Sequence, residues 1–366
     1  WRWGANDSNQ VGDPAFTRHD TPRKLSLGSV TSISTGARHT CAVAAADAGL
    51  GLFCWGTGPL GDANGGWSTS HETPTRIGTS AAWLSTTVGR GNLSFALDGT
   101  GKPWGWGENR RGEAGAGSVD PVPNPVAVAS SGGWSMVSAG RAHVCGIDAQ
   151  ARLSCWGSNA TGALALGLSG GTNTPRRIDP RTDWRLPASG ANASTTCGLR
   201  NDDTLWCWGE NATGIASPGL TTAEQVPVQR LATEPIAKVS VGTFHACALA
   251  WSGALWCWGF PIYGLAVPGG GNARVEQRIG TDVDWTDVSV GESSICGLRS
   301  SVGNGSLQCW GRNGVNSNLA NGRDGTGSEA VLDRVTATAR ATTGLRAVSM
   351  GADHGCAISG STASTR

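Results

Sequence analysis

A Trp-Gly dipeptide recurs along the chain at a nearly constant interval of 50 to 52 residues. This regularity is typical of an array in which one supersecondary unit is copied and each copy buries its apolar face against its neighbours. The repeat therefore predicts one continuous domain over residues 1–359, although a length of 366 residues alone would favour two or three domains. The pairs begin at Trp3, Trp55, Trp106, Trp156, Trp208, Trp258 and Trp310.

Each repeat unit contains a pattern that predicts a β-hairpin. In residues 239–259, apolar residues recur at strand-compatible spacings until Ser252, and a second apolar run follows. Around a turn centred near Ser252, Cys247 lies opposite Cys257, so the two side chains meet across the hairpin. Gly259, which follows a Trp at the end of the run, suits a strand that turns sharply. Seven strand-rich units of this size predict an all-β fold, a seven-bladed β-propeller.

The two ends of the chain are complementary parts of one repeat unit. Residues 1–7 carry a Trp-Gly phrase, whereas the last phrase, residues 348–359, lacks one. This arrangement predicts that the N-terminal strand completes the last blade, which closes the ring and removes the edges of an open array. Residues 360–366 are then expected to form a flexible C-terminal tail.

Charge and hydropathy argue against several classes of partner. The net charge is +1 with a sequence pI of about 7.7, and no Lys/Arg cluster resembles a phosphate-tracking stripe, so we expect no nucleic acid partner. No run of 18 apolar residues occurs, so we expect no membrane span. The basic residues comprise 25 Arg and 3 Lys, which is typical of GC-rich bacterial coding.

The repeated phrase resembles a known family. V-S-x-G-x-x-H-x-C-x-L, followed by G-x-L-x-C-W-G-x-N-x-x-G, is similar to the regulator of chromosome condensation repeat, whose proteins form seven-bladed β-propellers. Two units depart from the phrase and carry Gly58 and Pro261 in place of the Asn. The resemblance covers essentially the whole chain, and a bacterial, secreted-type member is expected. The Asn is retained as Asn6, Asn109, Asn159, Asn211 and Asn313.

The resemblance does not select one function. The family includes exchange factors for small GTPases, a plant ultraviolet photoreceptor, ubiquitin-ligase modules and secreted bacterial inhibitors of β-lactamases. The photoreceptor resembles this chain in the phrase Gly-x-Arg-His-Thr, but its hallmark Trp at the second position is Ala37 here. Light sensing through that Trp is therefore not expected.

Ten of the 11 cysteines form pairs within units, one in each hairpin strand. The second unit carries Phe95 and Gly105 instead, so both cysteines are lost together, as a covalent bond between them predicts. Two alternatives stay open: buried reduced thiols, and a His-x-Cys metal site. A metal site is disfavoured because units with Thr195 or Ser294 in place of the His still keep both cysteines. The predicted disulfides are Cys41 with Cys54, Cys145 with Cys155, Cys197 with Cys207, Cys247 with Cys257, and Cys296 with Cys309.

Five disulfides require an oxidising compartment, so we expect an extracellular, cell-surface or periplasmic protein. Cys356 is left unpaired, because the residue in its partner position is Arg2. It is expected to be a free thiol or to join another chain.

Four of the six His residues occupy one repeated position, and catalytic groups do not usually occur in circular sets. We expect buried imidazoles that are hydrogen-bonded to the backbone. No catalytic motif is present, and the sequence predicts no enzyme activity, no cofactor and no metal site. The four are His39, His143, His245 and His354.

These features predict a non-catalytic, extracellular protein-binding or assembly module that presents loops on a disulfide-stiffened ring. Two alternatives are a self-assembling structural subunit of an extracellular layer or filament, and a regulator like the guanine-nucleotide exchange factors. The interval from Trp310 to Cys356 is 46 residues against 38 to 41 elsewhere, which predicts an insertion within residues 312–344. The candidate contact residues are the charged loop positions Arg110, Arg111, Glu113, Arg323 and Asp324.

Overall fold

All regular secondary structure in the described residues is β-strand. The computed structural model describes the whole chain except residues 47–48, 63–68, 79–81, 90–91, 131, 168–169, 191–193, 220, 261–273, 301–305, 313–318, 320–343 and 361–366. The strands form seven separate antiparallel sheets, which are the predicted blades. We name the strands of a blade A to D from the propeller axis outwards.

Strands B and C form the predicted hairpin, whereas the residues at the start of the repeat phrase, such as Val239 and Val241, belong to a separate innermost strand A. Blades 1 to 7 have as strand A β3 (Val30–Thr35), β7 (Trp83–Val88), β11 (Trp134–Ala139), β15 (Trp184–Ser189), β19 (Ile236–Val241), β23 (Trp285–Val290) and β26 (Leu345–Met350). Strand B is β4 (His39–Ala46), β8 (Leu93–Asp98), β12 (His143–Asp148), β16 (Thr195–Arg200), β20 (His245–Ala250), β24 (Ser294–Arg299) and β27 (His354–Ser359).

Strand C carries the Trp-Gly pair, and strand D lies at the rim. Strand C is β5 (Gly49–Gly58), β9 (Pro103–Gly107), β13 (Leu153–Gly157), β17 (Leu205–Gly209), β21 (Leu255–Gly259), β25 (Ser306–Gly311) and, in blade 7, β1 (Arg2–Ala5). Strand D is β6 (Thr69–Ile77), β10 (Val122–Ala127), β14 (Thr172–Arg177), β18 (Glu224–Arg230), β22 (Gln277–Arg278) and, in blade 7, β2 (Arg18–Arg23). Blade 6 has three strands among the described residues.

The ring closes as predicted, with two N-terminal strands rather than one. The sheet of blade 7 has the order β2-β1-β27-β26, so each end of the chain supplies two strands. Trp3 pairs with Gly355, and the backbone N–H of Ala357 donates to the carbonyl of Trp1 at 2.9 Å. Closure pairs the strand edges that an open array would leave exposed.

The Trp-Gly pair shapes both the core and the end of strand C. The seven Trp side chains are at most 1% exposed. Each following Gly has a positive φ between 97° and 129°, where a Cβ is strained. At Gly56, for example, a Cβ would also lie 2.6 Å from the Cα of His39 in strand B. The dipeptide therefore fills an interface between blades and then redirects the chain within one residue.

Several of these indoles also connect neighbouring blades. The ring N–H donates to a carbonyl in the connection between strands C and D of the preceding blade, which is how a buried indole satisfies its donor. The bonds are Trp55 to Gln10 at 2.9 Å, Trp156 to Glu113 at 2.8 Å, Trp208 to Ala163 at 2.9 Å, and Trp258 to Ile215 at 3.0 Å.

The serine of the V-S-x-G phrase links neighbouring A strands around the axis. Its hydroxyl accepts the backbone N–H of a residue in strand A of the next blade, so these bonds run in one direction around the ring. They join Ser34 to Val88 at 3.0 Å, Ser138 to Ser189 at 2.8 Å, Ser240 to Val290 at 2.9 Å, Ser289 to Met350 at 2.9 Å, and Ser349 to Thr35 at 3.2 Å.

Proline-bearing segments form several of the outer strands. A Pro at a sheet edge removes a backbone donor that could otherwise pair with another chain. Pro22, Pro74, Pro175 and Pro227 lie in strands D of blades 7, 1, 3 and 4.

Candidate functional site

The propeller has two faces of different construction. The connections from A to B and from C to D lie on one side, which we call the loop face. The tight B–C turns and the connections from D to the next blade lie on the other side, which we call the hairpin face. This assignment follows from the up-and-down order of four antiparallel strands. Loops on such a rigid frame are the usual place for recognition.

A depression of about 340 Å³ lies where the A–B connections converge on the loop face. We call it the axial mouth. Blades 1, 2, 6 and 7 contribute to its wall, so it spans the region around the propeller axis. Among its described lining residues, acidic side chains outnumber basic ones. Its charged and amide side chains include Asp7, Arg38, Asn92, Glu292 and Asp353.

The predicted contact residues divide into three groups. Arg110 and Arg111 are exposed on the C–D connection of blade 2, on the loop face. Glu113 is only 5% exposed, so its proposed role as a surface contact is wrong. Its carboxylate accepts the backbone N–H of Arg111 at 2.8 Å, and burial raises its pKa. Arg323 and Asp324, like most of the predicted insertion, lie outside the described residues.

The sequence carried a signal for the burial of Glu113. The repeated Asn109 fixes this connection: its amide donates to the carbonyls of Ser118 and Asp120, and its oxygen accepts the N–H of Ala114. Glu113 stands four residues after this Asn, where the other copies have Gln10, Ala163 and Ile215. All three of these are buried as well, and their carbonyls accept the indole bonds described above.

Three further arginines on or beside the loop face were missed. Arg38 and Arg141 are exposed in the A–B connections of blades 1 and 3, between the repeated Gly and the repeated His. Arg176 lines an open groove of about 600 Å³ together with Arg111 and Val119, whose side chain is 54% exposed. The groove lies between blades 2 and 3. The sequence signal for Arg38 and Arg141 was their place between the repeated Gly and the repeated His, where the residue differs from one repeat unit to the next.

The ten paired cysteines lie directly opposite each other in strands B and C, at Cα–Cα separations of 4.0 to 4.2 Å. The structure places each pair at bonding distance. Cys356 lies opposite Arg2, as the sequence indicated, and is 1% exposed. Burial raises the pKa of its thiol to about 11. A bridge through Cys356 to another chain would therefore require blade 7 to open.

The repeated histidines are buried, but their expected backbone partners are wrong at three positions. The imidazole Nε2 instead contacts a hydroxyl in strand B of the next blade, and burial lowers the pKa of His39 and His143 to about 4 and that of His354 to about 3. His245 has Ile295 at the corresponding position. The contacts are His39 with Ser94 at 2.8 Å, His143 with Thr196 at 2.7 Å, and His354 with Thr40 at 2.9 Å.

Within the described residues, no three His, Cys, Asp or Glu side chains come close enough together to hold a metal ion. The same part of the chain contains no helix long and apolar enough to cross a membrane. Of the repeated histidines, His39, His143 and His354 are buried bridges between neighbouring blades, and burial disfavours their charged form.

Two segments of the chain match the regulator of chromosome condensation (RCC1) repeat, residues 1–43 and residues 236–264. Among curated proteins, the mitochondrial RCC1 domain-containing protein RUG3 of Arabidopsis thaliana is 25% identical over 68% of this chain and 60% of its own length. The ultraviolet-B receptor UVR8 of the same plant is 25% identical over 68% of this chain and 58% of its own. The chain thus spans about three fifths of these relatives.

The human E3 ubiquitin-protein ligase HERC2 is 28% identical over 68% of this chain, which corresponds to 5% of its length. Solved structures match over nearly the whole chain. Human WBSCR16 has a TM-score of 0.81 at 18% identity, covering 99% of this chain and 98% of its own. Prp20p from Saccharomyces cerevisiae has the same TM-score and identity, covering 99% of this chain and 91% of its own. These likenesses establish the fold.

Proposed function

We propose that this chain, a seven-bladed propeller built of regulator of chromosome condensation repeats, is a non-catalytic protein-binding module that acts outside the cytoplasm. Its partner binds on the loop face. The partner presents an acidic surface to blades 1 to 3.

One observation carries this proposal: five exposed arginines lie on or beside the loop face of three consecutive blades. In the described part of the chain, none of the five takes part in an ion pair shorter than 4.0 Å. Arginine is enriched at the energetic centres of interfaces, and a charge without an ion pair favours a partner of opposite sign. Arg38 contributes least to this surplus, because it lines the axial mouth together with Asp7, Glu292 and Asp353. The five are Arg38, Arg110, Arg111, Arg141 and Arg176.

Structural neighbours support a protein as the partner. The structure of Prp20p is described together with its binding to Gsp1p and histones, and a second structure shows Kap60 bound to yeast RCC1.

The five cysteine pairs support a location in an oxidising compartment, since cytosolic thiols are kept reduced. Alkylation of the protein from a cell extract after unfolding without reductant, followed by mass spectrometry, tests this, because the ten cysteines are buried in the folded state. We expect ten cysteines to stay unmodified until a reductant is added. An intracellular regulator of the exchange-factor type would instead show all of its cysteines modified when unfolded without reductant.

The loop face is tested by crosslinking pull-down from surface and secreted fractions. Arg110→Glu/Arg111→Glu reverses two exposed charges and should weaken capture of the specific partner at least about tenfold, because each arginine at an interface centre can contribute more than 1 kcal/mol. Arg181→Glu on the hairpin face is the matched control, since its side chain is 52% exposed. Equal capture by both variants would contradict the proposed face. Release of the captured material by nuclease would contradict the protein partner.

A further inference from the structure

Trp251 differs from every other described Trp in position and exposure. It lies in the B–C turn of blade 5, outside the repeated Trp positions, and its side chain is 65% exposed. The remaining described Trp residues are buried or half-buried. Large exposed aromatic side chains of this kind are enriched at interaction sites.

The turn does not require an aromatic residue. Other blades place small or polar residues at the corresponding tips, Gly99-Thr100 in blade 2 and Ala149-Gln150 in blade 3. The backbone of Trp251 joins the turn to the connection that precedes strand A, because its N–H donates to the carbonyl of Pro235 at 3.2 Å. The indole therefore has no evident structural task at this position.

A fixed guanidinium group supports the indole from the neighbouring blade. The Cζ of Arg185 lies 5.9 Å from the centre of the Trp251 ring. Arg185 is itself held by Asp203 at 2.9 Å and by the carbonyls of Ile236 and Ala237 in blade 5. Its charge is thus compensated within the protein. The indole of Trp251 thus lies beside a guanidinium group that is fixed by hydrogen bonds, and most of its surface is open to solvent.

Carboxylates outnumber guanidinium groups around this turn. Glu234 accepts hydrogen bonds from Ser252 at 2.8 Å and from the indole of Trp256, both neutral donors. Among the described residues, no ion pair compensates its negative charge. On the other side of the turn, Asp282 and Asp284 share the single guanidinium of Arg299. With Asp203, Arg185 and the exposed Arg278, whose guanidinium donates to the carbonyl of Thr281 beside Asp282, the described surroundings of the turn hold four carboxylates and three guanidinium groups.

We infer that Trp251 and Glu234 form a second docking site on the hairpin face, for a protein segment rich in Lys and Arg. A cation of that segment packs on the open surface of the indole while a neighbouring cation pairs with Glu234. Charge complementarity selects this occupant, since the surplus around the ring is negative. The site is of opposite sign to the arginines of the loop face and lies on the other side of the ring.

A fluorescein-labelled octa-arginine peptide is a suitable probe, with binding followed by fluorescence anisotropy at low salt. Trp251→Ala should weaken binding about 3- to 30-fold, the range expected for loss of a cation–π contact. Glu234→Gln should weaken binding and also flatten its dependence on salt concentration. Val226→Ala is the matched control, because Val226 is an exposed apolar side chain at 56% on the rim of blade 4.

Thermal unfolding distinguishes loss of the site from loss of the fold, and a side chain that is 65% exposed should leave the midpoint unchanged on truncation. Equal affinity of the wild type, Trp251→Ala and Glu234→Gln for the peptide would overturn the inference. So would tighter binding of a neutral oligosaccharide or of an acidic peptide at Trp251. Because the loop-face variant Arg110→Glu/Arg111→Glu should keep its peptide affinity, failure of one proposal does not imply failure of the other.

Discussion

Blade 5 and blade 2 fill the same position between strands B and C by different means. In blade 5, Cys247 and Cys257 face each other with their Cα atoms 4.1 Å apart. In blade 2, Phe95 and Gly105 occupy the same register, and a Cβ on Gly105 would lie 2.6 Å from the Phe95 ring. The aromatic ring thus takes the space that a second side chain would need. Phe95 therefore requires a residue without a Cβ at position 105.

This difference shows that the fold requires a buried side chain between strands B and C at this position but does not require a disulfide there. Phe95 is fully buried and also packs edge-on against Trp156 of blade 3, at 5.9 Å between ring centres. The disulfides close loops of only 10 or 13 residues, each inside one blade. They stiffen hairpins, whereas the seams between blades, including the seam that closes the ring, are noncovalent.

The largest effect is expected from adding a bond in blade 7, the other blade without one. Arg2→Cys places a second sulfur opposite Cys356 in the register of the bonded blades. The new bridge would close nearly the whole chain into one loop and stabilise the oxidised variant by about 6 kcal/mol over a variant that lacks only this bridge, by the chain-entropy model. Urea unfolding without reductant measures this difference, because a reductant would also break the five native disulfides.

Arg2→Ser is the control for this variant, because Arg2 donates to the carbonyl of Val11 at 3.0 Å and to Asp13 at 3.1 Å, and both variants lose these bonds. Equal stability of oxidised Arg2→Cys and Arg2→Ser would show that the closing seam already constrains the unfolded chain or cannot accept a bridge. The chain-entropy model would then not explain how a disulfide affects the stability of this fold.

The next effect concerns the unbonded hairpin directly. Phe95→Ala removes a fully buried ring and should lower the free energy of unfolding by about 3–5 kcal/mol. Cys247→Ala/Cys257→Ala should cost less, about 3 kcal/mol, because it removes a short loop closure and little volume. Chemical denaturation measures both. A reductant should reduce the stability of wild type and Phe95→Ala alike, but should change the double cysteine variant less.

Much of this architecture could be predicted from the sequence. The Trp-Gly interval gave the blade number, and counting residues around Ser252 placed Cys247 opposite Cys257, as the strand register confirms. These features are local, or they repeat, so one correct unit predicts the others. The two half-units at the chain ends predicted closure in the same way, because only pairing of β1 with β27 completes the blade.

Contacts between blades could not be predicted in the same way. The hydroxyl partner of His143 is Thr196, 53 residues later in the chain, and it becomes a neighbour only when the blades are arranged in a ring. The side chain of Glu113 gave a misleading signal, because a charged residue in a turn-rich segment is usually exposed. Here the carbonyl of Glu113 is needed by Trp156, and the side chain is buried with its backbone.

The smallest effect concerns pH. It tests whether the noncovalent contacts between neighbouring blades, unlike the disulfide-bonded hairpins, contribute less to stability as the pH falls. Burial lowers the pKa of His143 from 6.5 to about 4, so the folded state binds fewer protons than the unfolded state in this range. The neutral imidazole therefore contributes fully to stability above pH 6.5, and this contribution is lost as the pH falls towards 4. Linkage gives about 2 kcal/mol lost for one such histidine by pH 5.

His143→Gln should remove that part of the acid dependence, because an amide donates to Thr196 without titrating in this range. We expect the variant to lose about 2 kcal/mol less than wild type between pH 7 and pH 5, measured by urea unfolding at each pH. His71→Gln is the matched control, since His71 contacts Asp62 near the rim and lies outside the seams. Parallel pH profiles for wild type and His143→Gln would show that protonation is not what weakens the seam between blades 3 and 4. The noncovalent seams would then be as tolerant of acid as the bonded hairpins.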